Sequence, residues 1–112
     1  MRIVIAGAGA VGTHLAKLLS AENQDIVLMD PDKEKLNFSR SNLEMMTMTG
    51  SSTSLKDLTE VDIKNTDLFI AVTPDESVNI TSCMLASNMG AKKTFARIDN
   101  YEYLLPLCLK HN

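Results

Sequence analysis

At 112 residues with 45% apolar content, the chain suits a single domain, residues 1–112, that buries roughly two thirds of the surface exposed by its unfolded form. A net charge of −3 with two Tyr, three Phe and no Trp, and a pI near 5.2, leave no basic footprint and few stacking platforms, which argues against nucleic acid and anionic lipid as partners. No apolar run approaches the ~20 residues needed to cross a bilayer, and Met1 to Gly7 is too short for a signal peptide, so a soluble cytoplasmic chain without direct membrane insertion is expected.

Apolar runs alternate with amphipathic stretches from the first residue, the pattern of βαβ units. Arg2 to Ala6 reads as a fully buried strand ended by glycine. The helix after it places Val11, Leu15, Leu18 and Leu19 on one apolar face. Asp25 to Met29 gives a second strand, ended by Asp30-Pro31-Asp32, where Pro31 suits a helix start. That second helix runs through Leu36. Glu44 to Met48 is a weaker third strand, followed by the polar loop Gly50 to Thr53 and a short helix near Ser54, with Asp57 as its cap partner.

Leu68 to Val72 is the clearest later strand. Thr73-Pro74-Asp75-Glu76 after it reads as a capping box with proline at the first helical position. Its helix runs to about Met89 and stops at Gly90, and Thr94 to Ile98 supplies a fifth strand. Tyr101 to Asn112 is helical in pattern but contains Pro106. Right-handed crossovers then give an α/β, Rossmann-like doubly wound sheet, mainly parallel, with helices on both faces and the order 3-2-1-4-5. Such folds usually have a sixth strand, so a piece of a longer chain is expected.

Gly7-Ala8-Gly9-Ala10-Val11-Gly12 matches G-x-G-x-x-G directly after a strand and at a helix start, the context that makes this motif informative. Gly7 allows the tight turn, Gly9 lets backbone amides approach a pyrophosphate, and Gly12 lets helix and strand pack closely. The helix N-terminus adds unpaired N–H groups and partial positive charge. Asp30, 18 residues beyond Gly12, stands where a carboxylate accepts hydrogen bonds from the adenosine ribose. It favours NAD over NADP, since a 2′-phosphate would meet that carboxylate and no Arg or Lys immediately follows.

Thr73 and Pro74 close the fourth strand on the same sheet edge, where a nucleotide should touch them. Asp75 and Glu76 read as a helix cap rather than a cation site, and Gly50 to Thr53 ends the third strand near where adenine would lie. Arg97 interrupts an apolar strand and needs an anion: a ligand phosphate, Asp75, Glu76 or Asp99. His14 has no carboxylate or nucleophile near it in sequence and reads as surface or packing. Cys83 and Cys108 lie in apolar segments and read as buried free thiols. No acid/base for hydride chemistry and no substrate pocket are visible, so no catalytic residue and no metal ligand is assigned.

The glycine loop, Asp30, Ala71 to Glu76 with Asn79, and Ala96-Arg97-Ile98 followed by Tyr101-Glu102-Tyr103 together resemble the RCK/KTN (TrkA-N) family, cytosolic nucleotide domains that regulate potassium conductance. The resemblance spans nearly the whole chain. It implies a non-catalytic domain that binds NAD or NADH, passes ligand state to a membrane-embedded potassium transporter subunit, works as a homo-oligomer (dimer, tetramer or larger ring) and lies in the cytoplasm, peripheral to the inner face of the membrane. Carried over by position, Gly7 to Val11 would line the pyrophosphate, Asp30 the ribose, Thr73 and Pro74 the loop contacts, and Arg97 a phosphate or a subunit interface.

Two positions depart from the family pattern. Ser51 stands where an acidic residue often follows the glycine, which weakens a contact there. Ala10 stands where relatives that bind ATP place an arginine, so a dinucleotide is favoured and ATP or ADP is less so. The alternatives are the cofactor domain of an NAD-dependent oxidoreductase and a fragment using another adenosine ligand such as S-adenosylmethionine.

Overall fold

A computed structural model of the chain describes residues 1–42 and 45–100. Chain order is β1 (Arg2–Ala6), α1 (Ala10–Ser20), β2 (Asp25–Asp30), α2 (Lys33–Asn42), β3 (Met46–Thr49), α3 (Leu55–Glu60), a 3-10 turn (Ile63–Asn65), β4 (Leu68–Ala71), α4 (Glu76–Asn88) and β5 (Lys93–Ala96). The expected strand start at Glu44 and the expected last helix, Tyr101 to Asn112, lie outside the described residues, as does Cys108.

All pairings are parallel and the strand order is β3-β2-β1-β4-β5, as the crossover argument predicts. Ile5 stands opposite Leu28 and Ile70, and Ala6 opposite Met29 and Ala71. Alternate strand residues feed two cores. Val4, Ala6, Val27, Met29, Phe69 and Ala71 meet Leu58, Val61, Ile63, Cys83 and Ala86 on one face. Ile3, Ile5, Ile26 and Leu28 meet Ala16 and Leu36 on the other. Burial on both faces is why these strands read as unbroken apolar runs, and each large side chain so buried contributes roughly 1.5–3 kcal/mol.

Beyond shifts of one or two residues at the ends of β2, β3 and β4, three features depart from the sequence reading. In α1 the buried positions are Gly12 and Ala16, with Leu15 and Leu19 partly buried beside them, whereas Val11 is 44% and Leu18 53% exposed. The helix is therefore rotated so that its small residues meet the sheet, which brings the backbones close. At α4 the cap is Asp75, whose side chain accepts from the Ser77 and Val78 N–H groups. Pro74 precedes that cap rather than opening the helix, because the Thr73 side chain is engaged elsewhere. Finally β5 covers Lys93 to Ala96 and ends before Arg97.

Local signals explain the other ends. Ser54 caps α3 by accepting from the Asp57 N–H, while Asp57 Oδ2 accepts from the Ser51 N–H at 2.9 Å, reaching further back than a reciprocal box would. Gly90 has φ +113. Its N–H donates to the Ser87 carbonyl at 3.2 Å and that of Ala91 to Ala86 at 3.0 Å, the paired bonds of a Schellman stop.

Candidate functional site

The parallel ladder runs one residue past the ends of β1, β3, β4 and β5. Gly7 N–H donates to Met29 O, Val72 N–H to Ala6 O, Arg97 N–H to Ala71 O, each at 2.9 Å, and Gly50 N–H to Asp30 O at 3.1 Å. The glycine loop, Asp30, the Gly50 loop, Thr73 and Arg97 therefore all emerge at the carboxyl edge of one sheet, where open α/β folds hold ligands.

The three motif glycines have different physical grounds. Gly7 has φ +116, and a Cβ there would lie 3.0 Å from the Thr73 nitrogen. At Gly12 a Cβ would sit 1.7 Å from the Gly7 carbonyl oxygen. Both are required by the fold. Gly9 differs: its φ of −77 suits any residue, and a Cβ added there meets nothing within 4 Å. No side chain caps α1 and no acidic residue occupies its first turn, so the amide end of the helix opens onto the space beside Gly9.

Asp30 is 7% exposed. Its Oδ2 accepts from the Ala8 N–H and its Oδ1 from the Asp32 N–H, each at 2.8 Å. The carboxylate thus ties the glycine loop to the turn after β2, and each oxygen keeps capacity for a second donor. Asp32 in turn accepts from the Glu34 N–H at 2.9 Å, in the first turn of α2.

Across the edge, Asn79 is fully buried. Its Oδ1 accepts from the Thr73 N–H at 2.9 Å and the Thr73 hydroxyl at 2.7 Å, and its Nδ2 donates to the Thr73 and Arg97 carbonyls, each at 3.0 Å. Thr73 has spent its N–H, hydroxyl proton and carbonyl inward, so with Pro74 it presents a mainly apolar wall. The Arg97 guanidinium, 38% exposed, pairs with Asp99 at 3.2 Å, one of the four anions considered for it. Arg97 does not interrupt a buried strand, since β5 stops one residue earlier.

Two hollows flank the glycine loop. One of about 290 Å³ is bounded by Asp30, Pro31, Ser51 to Thr53 and Thr73 to Asp75. The other, of about 470 Å³, is bounded by Ala8, Gly9, Ala10, Thr13, His14 and Lys17, and Lys35 lines both. Each is of the size order of a small-molecule site.

The TrkA-N domain family matches residues 3–109 of the sequence. This chain belongs to that family. A Trk system potassium uptake protein TrkA homolog from Archaeoglobus fulgidus is 39% identical over 99% of this TrkA-N chain, which covers 25% of that relative. The Trk system potassium uptake protein TrkA of Haemophilus influenzae is 36% identical over 93% of it and is covered to 23%. The TrkA-N chain thus spans about a quarter of the length of these two relatives. Among solved structures, the NAD(P)-binding domain of an exopolyphosphatase-related protein from Archaeoglobus fulgidus superposes with a TM-score of 0.69 at 14% identity, covering 98% of both chains. That similarity establishes the Rossmann-like fold.

In this TrkA-N domain the expected site residues Gly7, Ala8, Gly9, Ala10, Val11, Gly12, Asp30, Thr73, Pro74 and Arg97 fall at one sheet edge. Arg97 presents its backbone to Asn79 and its guanidinium to Asp99. Sequence reading of the site did not single out Lys35, which the first turns of α2 carry to the Asp30 hollow, or Lys17 beside the loop, while His14, read as surface or packing, is exposed at the rim of the hollow that Lys17 lines. Starting α2 at Lys33 would have placed Lys35 there by helical spacing. No helix among the described residues is long and apolar enough to cross a membrane.

Proposed function

We propose that this TrkA-N domain binds a dinucleotide, NAD or NADH, at the carboxyl edge, and that ligand state, without turnover, regulates potassium uptake by a membrane-embedded Trk-type transporter subunit. Gly9 carries the reading. The fold needs no glycine there, so what the position supplies is open access to the α1 amides, the arrangement that receives a pyrophosphate. The ribose would lie against Asp30, the adenine in the hollow of Asp30, Ser51 to Thr53 and Pro74, and phosphate charge would face the uncapped helix.

The names of the relatives support a part in potassium uptake, while the transporter partner, a cytoplasmic location peripheral to the membrane and a regulatory rather than catalytic role rest on the resemblance to the RCK/KTN family. Regulation through homo-oligomers requires two subunit arrangements with unequal ligand affinity, since equal affinity shifts nothing. Calorimetric titration of the chain with NAD, NADH, NADPH and ATP, for the natural sequence and Gly9→Ala, tests the site. Dinucleotide binding that weakens in the variant, with bound NADH unoxidised by its own absorbance, is the expected result. Saturable ATP or S-adenosylmethionine binding with no dinucleotide binding would overturn the assignment, and oxidation of bound NADH would favour the oxidoreductase alternative. The NADPH arm measures whether Lys35 offsets the Asp30 carboxylate toward a 2′-phosphate.

A further inference from the structure

Residues 97–100 belong to no helix or strand, yet they are held at two points by the start of α4. Asn79 Nδ2 donates to the Arg97 carbonyl at 3.0 Å, and Glu76 Oε1 accepts from the Asp99 N–H at 3.0 Å. Glu76 and Asn79 are three residues apart and share one helix face. The same Asn79 amide holds Thr73 by its N–H, hydroxyl and carbonyl. One fully buried side chain therefore bonds the wall after β4 and the segment after β5 at once. A primary amide is suited to this: two accepted and two donated bonds fill its capacity in a fixed plane.

We propose that Asn79 is a positioning residue that locks the Thr73–Pro74 wall to the Arg97 carbonyl, so that a nucleotide pressing on that wall also orders residues 97–100. The inference rests on the reading that the nucleotide lies at this edge. Asn79 is fully buried, with its amide engaged by Thr73 and Arg97, so its role would be to position the wall rather than to contact the nucleotide. A ligand that shifts or stiffens Thr73 must move the Oδ1 end of the amide, and the plane of the amide carries the displacement to the Nδ2 end and to Arg97. The Glu76 contact supplies a second anchor from α4 for the same segment, beyond Arg97, whose N–H still bonds the Ala71 carbonyl of the sheet.

Backbone hydrogen exchange of the chain with and without NADH tests this, in the natural sequence and in Asn79→Asp, which keeps the acceptor for the Thr73 N–H and hydroxyl and removes the donor to the Thr73 and Arg97 carbonyls. In the natural chain NADH should slow exchange at Gly9 to Gly12, at 75–78 and at 98–100. In the variant, at NADH concentrations that saturate it, protection at Gly9 to Gly12 should persist while that at 98–100 falls by about tenfold or more. Asn79→Ser, neutral and smaller, serves for the same comparison if the aspartate variant does not fold. Protection at 98–100 that survives in a saturated variant overturns the proposal, as does a natural chain in which NADH protects the glycine loop and leaves 98–100 unchanged. If NADH protects neither segment, the nucleotide reading fails first and the proposal with it.

Discussion

The Oδ2 atom of Asp30 accepts the backbone N–H of Ala8 at 2.8 Å, so the residue that ends β2 also fixes the loop that follows β1. Replacing it removes two things at once. Asp30→Ala should lower the unfolding free energy by about 1–3 kcal/mol, because it strands a buried N–H, and should also weaken dinucleotide binding. Thermal denaturation beside calorimetry separates these effects. Loss of binding with unchanged stability would mean that Ala8 finds another acceptor and that the carboxylate serves the ligand alone.

The glycines should divide by position. Gly9→Ala should shift stability by less than about 1 kcal/mol, the cost of a poorer helix cap, while reducing nucleotide affinity at least about tenfold, since its methyl enters the space assigned to phosphate. Gly12→Ala should cost more than about 3 kcal/mol, because its Cβ would overlap the Gly7 carbonyl. Denaturant unfolding of both variants checks the contrast, and equal losses of stability would contradict it.

Two carboxyls should make the fold acid-sensitive. The Asp67 carboxyl is held below its ordinary value by the Arg2 N–H and then by the Lys92 side chain. That of Asp75 is lowered by the Ser77 hydroxyl and the Val78 N–H. With folded values depressed, the stability they contribute is complete above the ordinary carboxylate range and lost as pH falls through it toward the lowered values, between about pH 5 and pH 2. Asp67→Asn should flatten the decline of melting temperature over that window; an unchanged slope would remove Asp67 from the account.

Burial pushes the Cys83 thiol above its ordinary value, and the side chain is packed among Phe69, Ala71 and Ala86. Its alkylation at neutral pH should be slower in the native chain than in denaturant by about tenfold or more. Peptide-resolved mass spectrometry distinguishes it from Cys108. Equal rates would place Cys83 outside the core.

Strand positions and sheet order were readable because β-branched and apolar runs of strand length, separated by helical spacings, leave few right-handed topologies. The glycine loop and Asp30 were readable because their spacing is local. The phase of α1 was not, because Val11 and Leu18 outweigh Gly12 and Ala16 in any apolar count, although close backbone packing selects the small residues. The cap at α4 was misplaced because Thr73 looks like a helix start until Asn79, six residues on, occupies it. The 3-10 turn gave no signal, since its entry is Asp62 at φ +60 where glycine would have marked it. The bond from Asn79 to Arg97 spans 18 residues and belongs to tertiary structure alone.

The contact between α1 and the glycine loop is made by backbone, with no side chain at Gly12 to yield. Such a contact has few soft degrees of freedom, so the helix amides are already aimed before any anion arrives. Ordering entropy, usually a large cost of association, is small on that side of the cleft. A ligand bound at this edge would therefore meet donors already in place on the α1 side, and any structural response to it would have to start elsewhere, at Thr73 and the segments that Asn79 ties to it.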